Sequence, residues 1–201
     1  VTSITLRHKA ASEAHTRSPQ TPGESGVWVF ILGEMTVFSA LFVVIVCYRA
    51  AHAQMFAASQ HALNRQLGLV NTIVLIIGSV LVVSAVHAVQ QTRFHSAAGY
   101  LAAAMTCGSV FAIIKAIEYV HLLHRGAWIH TNEYWMLFFA ITGAHLLHVA
   151  VGCTVLALAR HRIRAGLRGP RDVELCISAT CYWHMVDLVW LVLFPLFYLV
   201  N

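Results

Sequence analysis

The stretch Leu67–Val89, LGLVNTIVLIIGSVLVVSAVHAV, decides the fold class, because it contains no Asp, Glu, Lys or Arg. A hydrocarbon core of roughly 30 Å is crossed by about 20 apolar residues, each adding about 1.5 Å of helix. Four further stretches share this character. In chain order the predicted spans are Val27–Tyr48, Leu67–Val89, Ala97–Leu123, Glu133–Ala159 and Val173–Val200. The sequence therefore predicts an all-α integral membrane bundle of five transmembrane helices.

Composition agrees. Hydrophobic residues make up 59% of the 201-residue chain and charged residues only 10%, against about 45–50% and about 25% in soluble domains. A soluble domain of this size has too little interior to hide five such helices. The net charge of +5 is not a nucleic-acid signal, since the basic residues sit in loops between apolar spans. Cys47, Cys107, Cys153, Cys176 and Cys181 all lie within spans and form no CxxC pair. They are expected to behave as small apolar residues, with neither a disulfide nor a zinc site. Residues 1–26 are polar, carry Pro19, Pro22, Gly23 and Gly26, and lack the apolar core of a signal peptide. The expected organisation is a polar cytoplasmic arm over 1–26 and a transmembrane domain over 27–201, without internal repeats.

Loop charges orient the bundle. With the N-terminus inside, the inner segments hold nine basic residues: Arg7, Lys9, Arg17, Arg93, Arg160, Arg162, Arg164, Arg168 and Arg171. The outer segments hold three: Arg49, Arg65 and Arg125. This asymmetry predicts N-in, C-out topology, and the run RHRIRAGLRGPR from Arg160 to Arg171 dominates it as an anchor facing anionic lipid. Trp28, Tyr134, Trp135 and Tyr198 fall at predicted span ends, where interfacial aromatics belong. Gly99 with Ala103, and Ala104 with Gly108, have the small-xxx-small spacing that admits a close neighbour.

Seven ionisable residues within the spans stand out: Glu34, Lys115, Glu118, His145, His148, His184 and Asp187. Each is costly in a bilayer and needs a partner or a role. Lys115 and Glu118, three residues apart, predict a local ion pair toward the outer end, from which the lysine can snorkel. His145 and His148 on the fourth span lie level with Asp187 and His184 on the antiparallel fifth, at depths of roughly 17–21 Å. They are expected to meet as a polar cluster that fixes the register of the two helices. Glu34 lies roughly 11 Å inside the inner edge, about 6 Å shallower than His148. It is expected to face protein and to find its polar partner on another helix. Iron or zinc held by these histidines and carboxylates is the sharper alternative, but a di-iron bundle uses paired Glu-x-x-His motifs that the chain lacks. No metal, haem or catalytic residue is predicted in this chain.

Several segments resemble one family. Tyr182–Trp190, YWHMVDLVW, resembles the YWHFVDxVW signature in the last helix of subunit III of haem–copper oxidases. Thr142–Gly152, TGAHLLHVAVG, resembles that family's TGxHxxHVxxG, and Gly33–Phe42, GEMTVFSALF, its SExxFFxxFF helix. Ile117–Leu122, IEYVHL, resembles its EY segment. The matches follow the family's order across residues 27–200. The resemblance implies that Glu34 is the family's carbodiimide-reactive glutamate. It likewise places the family histidines at His145, His148 and His184, the aspartate at Asp187 and the EY glutamate at Glu118. It implies a subunit without haem or copper of its own, packed beside the catalytic subunit I that carries them, with subunit II as a further partner. Such a subunit holds structural phospholipid and supports proton uptake. Five spans resemble the short bacterial form, in the cell membrane. The opening PGESGVWVFILGEM, Pro22–Met35, most resembles the branch associated with nitric oxide reductase.

Three function classes compete at this point. One is the non-catalytic respiratory subunit, belonging to an oxidase or to a nitric oxide reductase. Another is a small proton-coupled transporter built on Glu34, His148 and Asp187, against which the lack of inverted repeats argues. The last is a membrane metalloenzyme.

Overall fold

The computed structural model describes residues 25–166 and 169–199. The expected cytoplasmic arm lies outside the described residues except for Ser25 and Gly26, which open the first helix. The elements are α1 (Ser25–Ala51), α2 (Ala53–Gln60), α3 (Arg65–Gln90), α4 (Phe94–His124), α5 (Glu133–Arg164) and α6 (Pro170–Phe194), followed by a π-turn (Pro195–Leu199). All but α2 are long and apolar enough to span a membrane, α6 doing so together with the π-turn. Among the described residues there is no strand.

Helix starts follow local chemistry. The Asn64 side chain accepts from the Gln66 and Leu67 amides at 3.0 and 3.3 Å, and Asn132 accepts from the Trp135 amide at 2.9 Å. These bonds satisfy amides that have no partner within the helix. At α6, Pro170 occupies the first turn and Asp172 accepts from the Gly169 amide at 3.0 Å. Pro195 then ends regular α-geometry, because it brings no N–H to the ladder. The wider π-turn that follows buries Phe197 and Tyr198.

Helices α3–α6 form the packed body, and Trp183 of α6 sits at its centre, 1% exposed. It rests on three glycines from three other helices. A Cβ would come within 3.4 Å of the indole at Gly78 of α3, 2.9 Å at Gly108 of α4 and 3.2 Å at Gly152 of α5. The glycines are notches that let the backbones close around the largest side chain, and close packing is what holds helices together where lipid is as apolar as leucine. Helix α1 lies at the edge of this body. It buries only Ile31, Phe38 and Ile45, one residue every two turns, and leaves Val29, Leu32, Val37 and Val43 exposed.

Four expectations need correction. The segment after the first span contains α2, which the sequence reading left as loop. Tyr134, Trp135 and Tyr198 are not interfacial belts: they are 1%, 5% and 1% exposed, inside the bundle. Lys115 does not snorkel and is 1% exposed. Of the two small-residue pairs, Ala104 and Gly108 meet a neighbouring helix, whereas a side chain at Gly99 would meet nothing.

Candidate functional site

The intramembrane polar residues resolve into separate stations. Glu34 is presented by α1 and His148 by α5. Glu34 Oε2 lies 3.0 Å from His148 Nε2, both side chains being partly exposed. His148 Nδ1 lies 2.8 Å from the Ala144 carbonyl. A carbonyl only accepts, so Nδ1 carries the hydrogen. The contact between Nε2 and Oε2 then needs one more proton. It is either a carboxylic acid donating to neutral imidazole or an imidazolium donating to carboxylate. Either way the pair holds one exchangeable proton at zero net charge. Phe38 packs its ring edge against His148 at 5.2 Å between centroids and backs the site from α1.

The second station joins α3 to α6. His184 Nδ1 lies 2.7 Å from Ser79 Oγ. Asp187, one turn further along α6, is buried beside Ser79 and Trp183. Among the described residues neither of its carboxyl oxygens has a hydrogen-bond partner.

His145 is fully buried between aromatic rings. It stacks on Trp190 at 5.4 Å and meets the edge of Phe111 at 5.5 Å. Trp190 in turn donates to Thr72 Oγ1 at 3.0 Å. Among the described residues no direct hydrogen bond joins the pair His145 and His148 to the pair His184 and Asp187; His148 bonds to Glu34 and His184 to Ser79 instead. Helical rise set their common depth but not their direction around the axis. Residues three apart differ by about 60° in azimuth, enough to turn His148 toward α1 while His145 faces the core.

Lys115 and Glu118 of α4 form the third station. Lys115 Nζ lies 2.7 Å from Glu118 Oε2 and 2.7 Å from Tyr198 Oη, and Tyr198 reaches both Glu118 oxygens at 2.8 Å. Phe138 and Trp190 place ring faces 4.9 and 4.8 Å from the ammonium. Both charges are buried and their hydrogen bonds tie α4 to the π-turn. Sequence reading missed Tyr198 as a member of this group. Its signal was Pro195, three residues earlier, which turns the chain inward. Ser79 carried no signal, because a lone serine in an apolar span normally bonds its own helix.

Among the described residues no three His, Cys, Asp or Glu side chains converge as metal ligands. At one end of the bundle, a cavity of about 720 Å³ opens between α1, α5 and α6. Val27, Phe30, Val155 and Leu158 line it, with Arg162 and Arg171.

Fold and stations together define a class: a multi-pass helical membrane protein with buried and partly buried polar contacts that link its helices. Comparison with known proteins narrows that class. A family profile described as cytochrome c oxidase subunit III matches residues 5–201. The chain is 29% identical over 178 residues to cytochrome c oxidase subunit 3 of Corynebacterium diphtheriae, covering 88% of this chain and 87% of that one. It is 27% identical over 177 residues to quinol oxidase subunit 3 of Bacillus subtilis, covering 88% and 86%. It is also 28% identical over 194 residues to heme-copper oxidase subunit I+III of Aeropyrum pernix, covering 92% of this chain but only 24% of that longer protein. The chain belongs to the cytochrome c oxidase subunit III family.

Proposed function

We propose that this chain serves as the non-catalytic third subunit of a haem–copper respiratory oxidase in the cell membrane. There it stabilises the catalytic subunit and assists proton uptake during electron transfer to oxygen. The family match across residues 5–201 carries the reading. Haem and copper belong to the partner catalytic subunit, which supplies all redox chemistry. The Aeropyrum pernix relative, whose name joins subunits I and III, supports direct packing of this chain on subunit I. Subunit II is the further partner.

Glu34 and His148 suit the proton role. They share one proton at zero net charge, and its release leaves a single negative charge that is partly exposed at the bundle edge rather than sealed in the core. The cavity between α1, α5 and α6 suits a phospholipid, with apolar walls for acyl chains and Arg171 and Arg162 for the phosphate, Arg162 being also paired with Asp172 at 3.3 Å and Glu174 standing on the same rim. This arrangement fits the N-in, C-out topology, which puts the arginines at the anionic inner leaflet. A reporter fused after Asn201 should be active only outside the cytoplasm; cytoplasmic activity would reverse the topology.

The deciding experiment is affinity purification of the tagged chain from mildly solubilised membranes. The haem-bearing subunit should follow it, with the haem absorption spectrum in the same fraction. Recovery of the chain without haem, while oxidase activity fractionates elsewhere, would sink the reading.

A further inference from the structure

The basic run at the end of α5 alternates in direction. Arg160 and Arg164 are four residues apart and share a helix face, while Arg162 lies about 200° around from Arg160 by helical geometry. The cavities follow this split. Arg162 lines the α1–α5–α6 cavity discussed above. Arg160 and Arg164 line a separate cavity of about 300 Å³ between α4 and α5, together with His95, Phe94, Gly99 and Ile163.

We infer that this α4–α5 cavity is a second phospholipid site, which takes the phosphate of an anionic lipid between Arg160, Arg164 and His95 and an acyl chain over Gly99. Arg160 is half-buried, and its Nε donates to the Ala98 carbonyl at 3.2 Å. That bond anchors the guanidinium through Nε, so the donors on its two terminal nitrogens remain for a ligand. A fixed planar fork is suited to two phosphate oxygens. The Arg164 guanidinium and the His95 ring add donors one turn away along α5 and across on α4. Among the described residues no acidic side chain lines the cavity, and its basic lining complements an anion.

The occupant is a lipid rather than a free anion because of what lies beside the arginines. Phe94 and Ile163 give apolar walls, and a Cβ at Gly99 would meet nothing within 4 Å. Next along the helix, Tyr100 is 40% exposed. A tyrosine at this level suits the headgroup boundary. A soluble phosphate would use the arginines alone. An anionic phospholipid uses both parts, and basic pockets between helix ends on the cytoplasmic side are sites of that kind. The leaflet assignment rests on the proposed topology, whereas the cavity and its charge do not.

The test measures lipid retention by the assembled complex in detergent, titrated with phosphatidylglycerol and, separately, phosphatidylcholine. R160Q/R164Q should weaken phosphatidylglycerol binding at this site by roughly tenfold or more, two cationic contacts being lost. Phosphatidylcholine should be little affected. G99L should weaken both lipids by filling the groove, and it should fold because the added side chain points into open space. Unaltered retention in both R160Q/R164Q and G99L overturns the site. Displacement of the lipid by millimolar inorganic phosphate, or insensitivity to G99L alone, overturns a lipid in favour of a small anion. Haem recovery in the same preparations tests the subunit role separately, so failure of one reading is distinguishable from failure of the other.

Discussion

Glu34 of α1 and His148 of α5 meet at 3.0 Å, and His148 is fixed in orientation by the Ala144 carbonyl behind it. The buried apolar residues of helix α1 form a narrow seam of Ile31, Phe38 and Ile45, while Phe30 stacks on Tyr182 and Arg49 donates to the Leu196 carbonyl. This polar link across that edge is thus also a proton-holding pair. Glu34→Gln separates the two roles, because the amide still hydrogen bonds but cannot ionise. Turnover of the assembled oxidase should slow at high pH, where protons are scarce, and approach wild type at low pH. The haem spectrum should not change, since no haem ligand is touched. Turnover equal to wild type across the whole pH range would assign Glu34 to structure alone.

The buried Lys115–Glu118 pair should be far more sensitive to breaking than to removal. Lys115→Met leaves Glu118 in the interior with only Tyr198 as partner, and loss of one member of a buried pair typically costs about 3–5 kcal/mol. Replacing both, as Lys115→Met with Glu118→Leu, removes the desolvation cost of both charges and should recover most of that stability. Thermal unfolding of the purified complex, followed by loss of this subunit, measures the difference. A double variant no more stable than Lys115→Met alone would show that Tyr198 and the rings, not the charge pair, determine stability here.

Separate stations make separate energetics. His148 bonds toward α1 and His184 toward α3, so His148→Ala and His184→Ala should destabilise additively, within about 0.5 kcal/mol in a double-mutant cycle. A coupling energy well beyond that would restore the single cluster that equal depth suggests.

The physical reason for that difference shows how far the sequence can be read. Five spans were legible because the solvent demands them: a run such as Leu67–Val89 has no soluble alternative. The Lys115–Glu118 pair was legible because both members lie on one helix, where spacing alone sets the neighbour. The link from Glu34 to His148 was legible as depth, with the family motif pointing to the same residues. Azimuth was not legible, since it depends on how α4, α5 and α6 rotate to seat Trp183 on Gly78, Gly108 and Gly152. The same rotation took Tyr134, Trp135 and Tyr198 inward, although their positions at span ends were read correctly. Helix α2 was missed because AQMFAASQ is short and only weakly apolar, and its packing against α5, with Phe56 against Tyr134 at 5.2 Å, holds it in place.

The glycine notches give the sharpest packing test, because two glycines of one helix should behave oppositely. A Cβ at Gly108 would lie 2.6 Å from Cys153 Sγ and 2.9 Å from the Trp183 ring, both in the packed centre. Trp183 cannot retreat, because Gly78 and Gly152 already hold its other edges. Gly108→Val should therefore overpack the α4–α5–α6 contact and destabilise the subunit by about 1–3 kcal/mol or more. Gly99→Ala, two turns earlier on α4, meets nothing and gains helix propensity, so it should be neutral or slightly stabilising. Co-purification with the haem-bearing subunit after graded heating measures both. If Gly108→Val survives heating as well as Gly99→Ala, then Trp183 is free to move, and the three-glycine seat is not what sets the helix rotations.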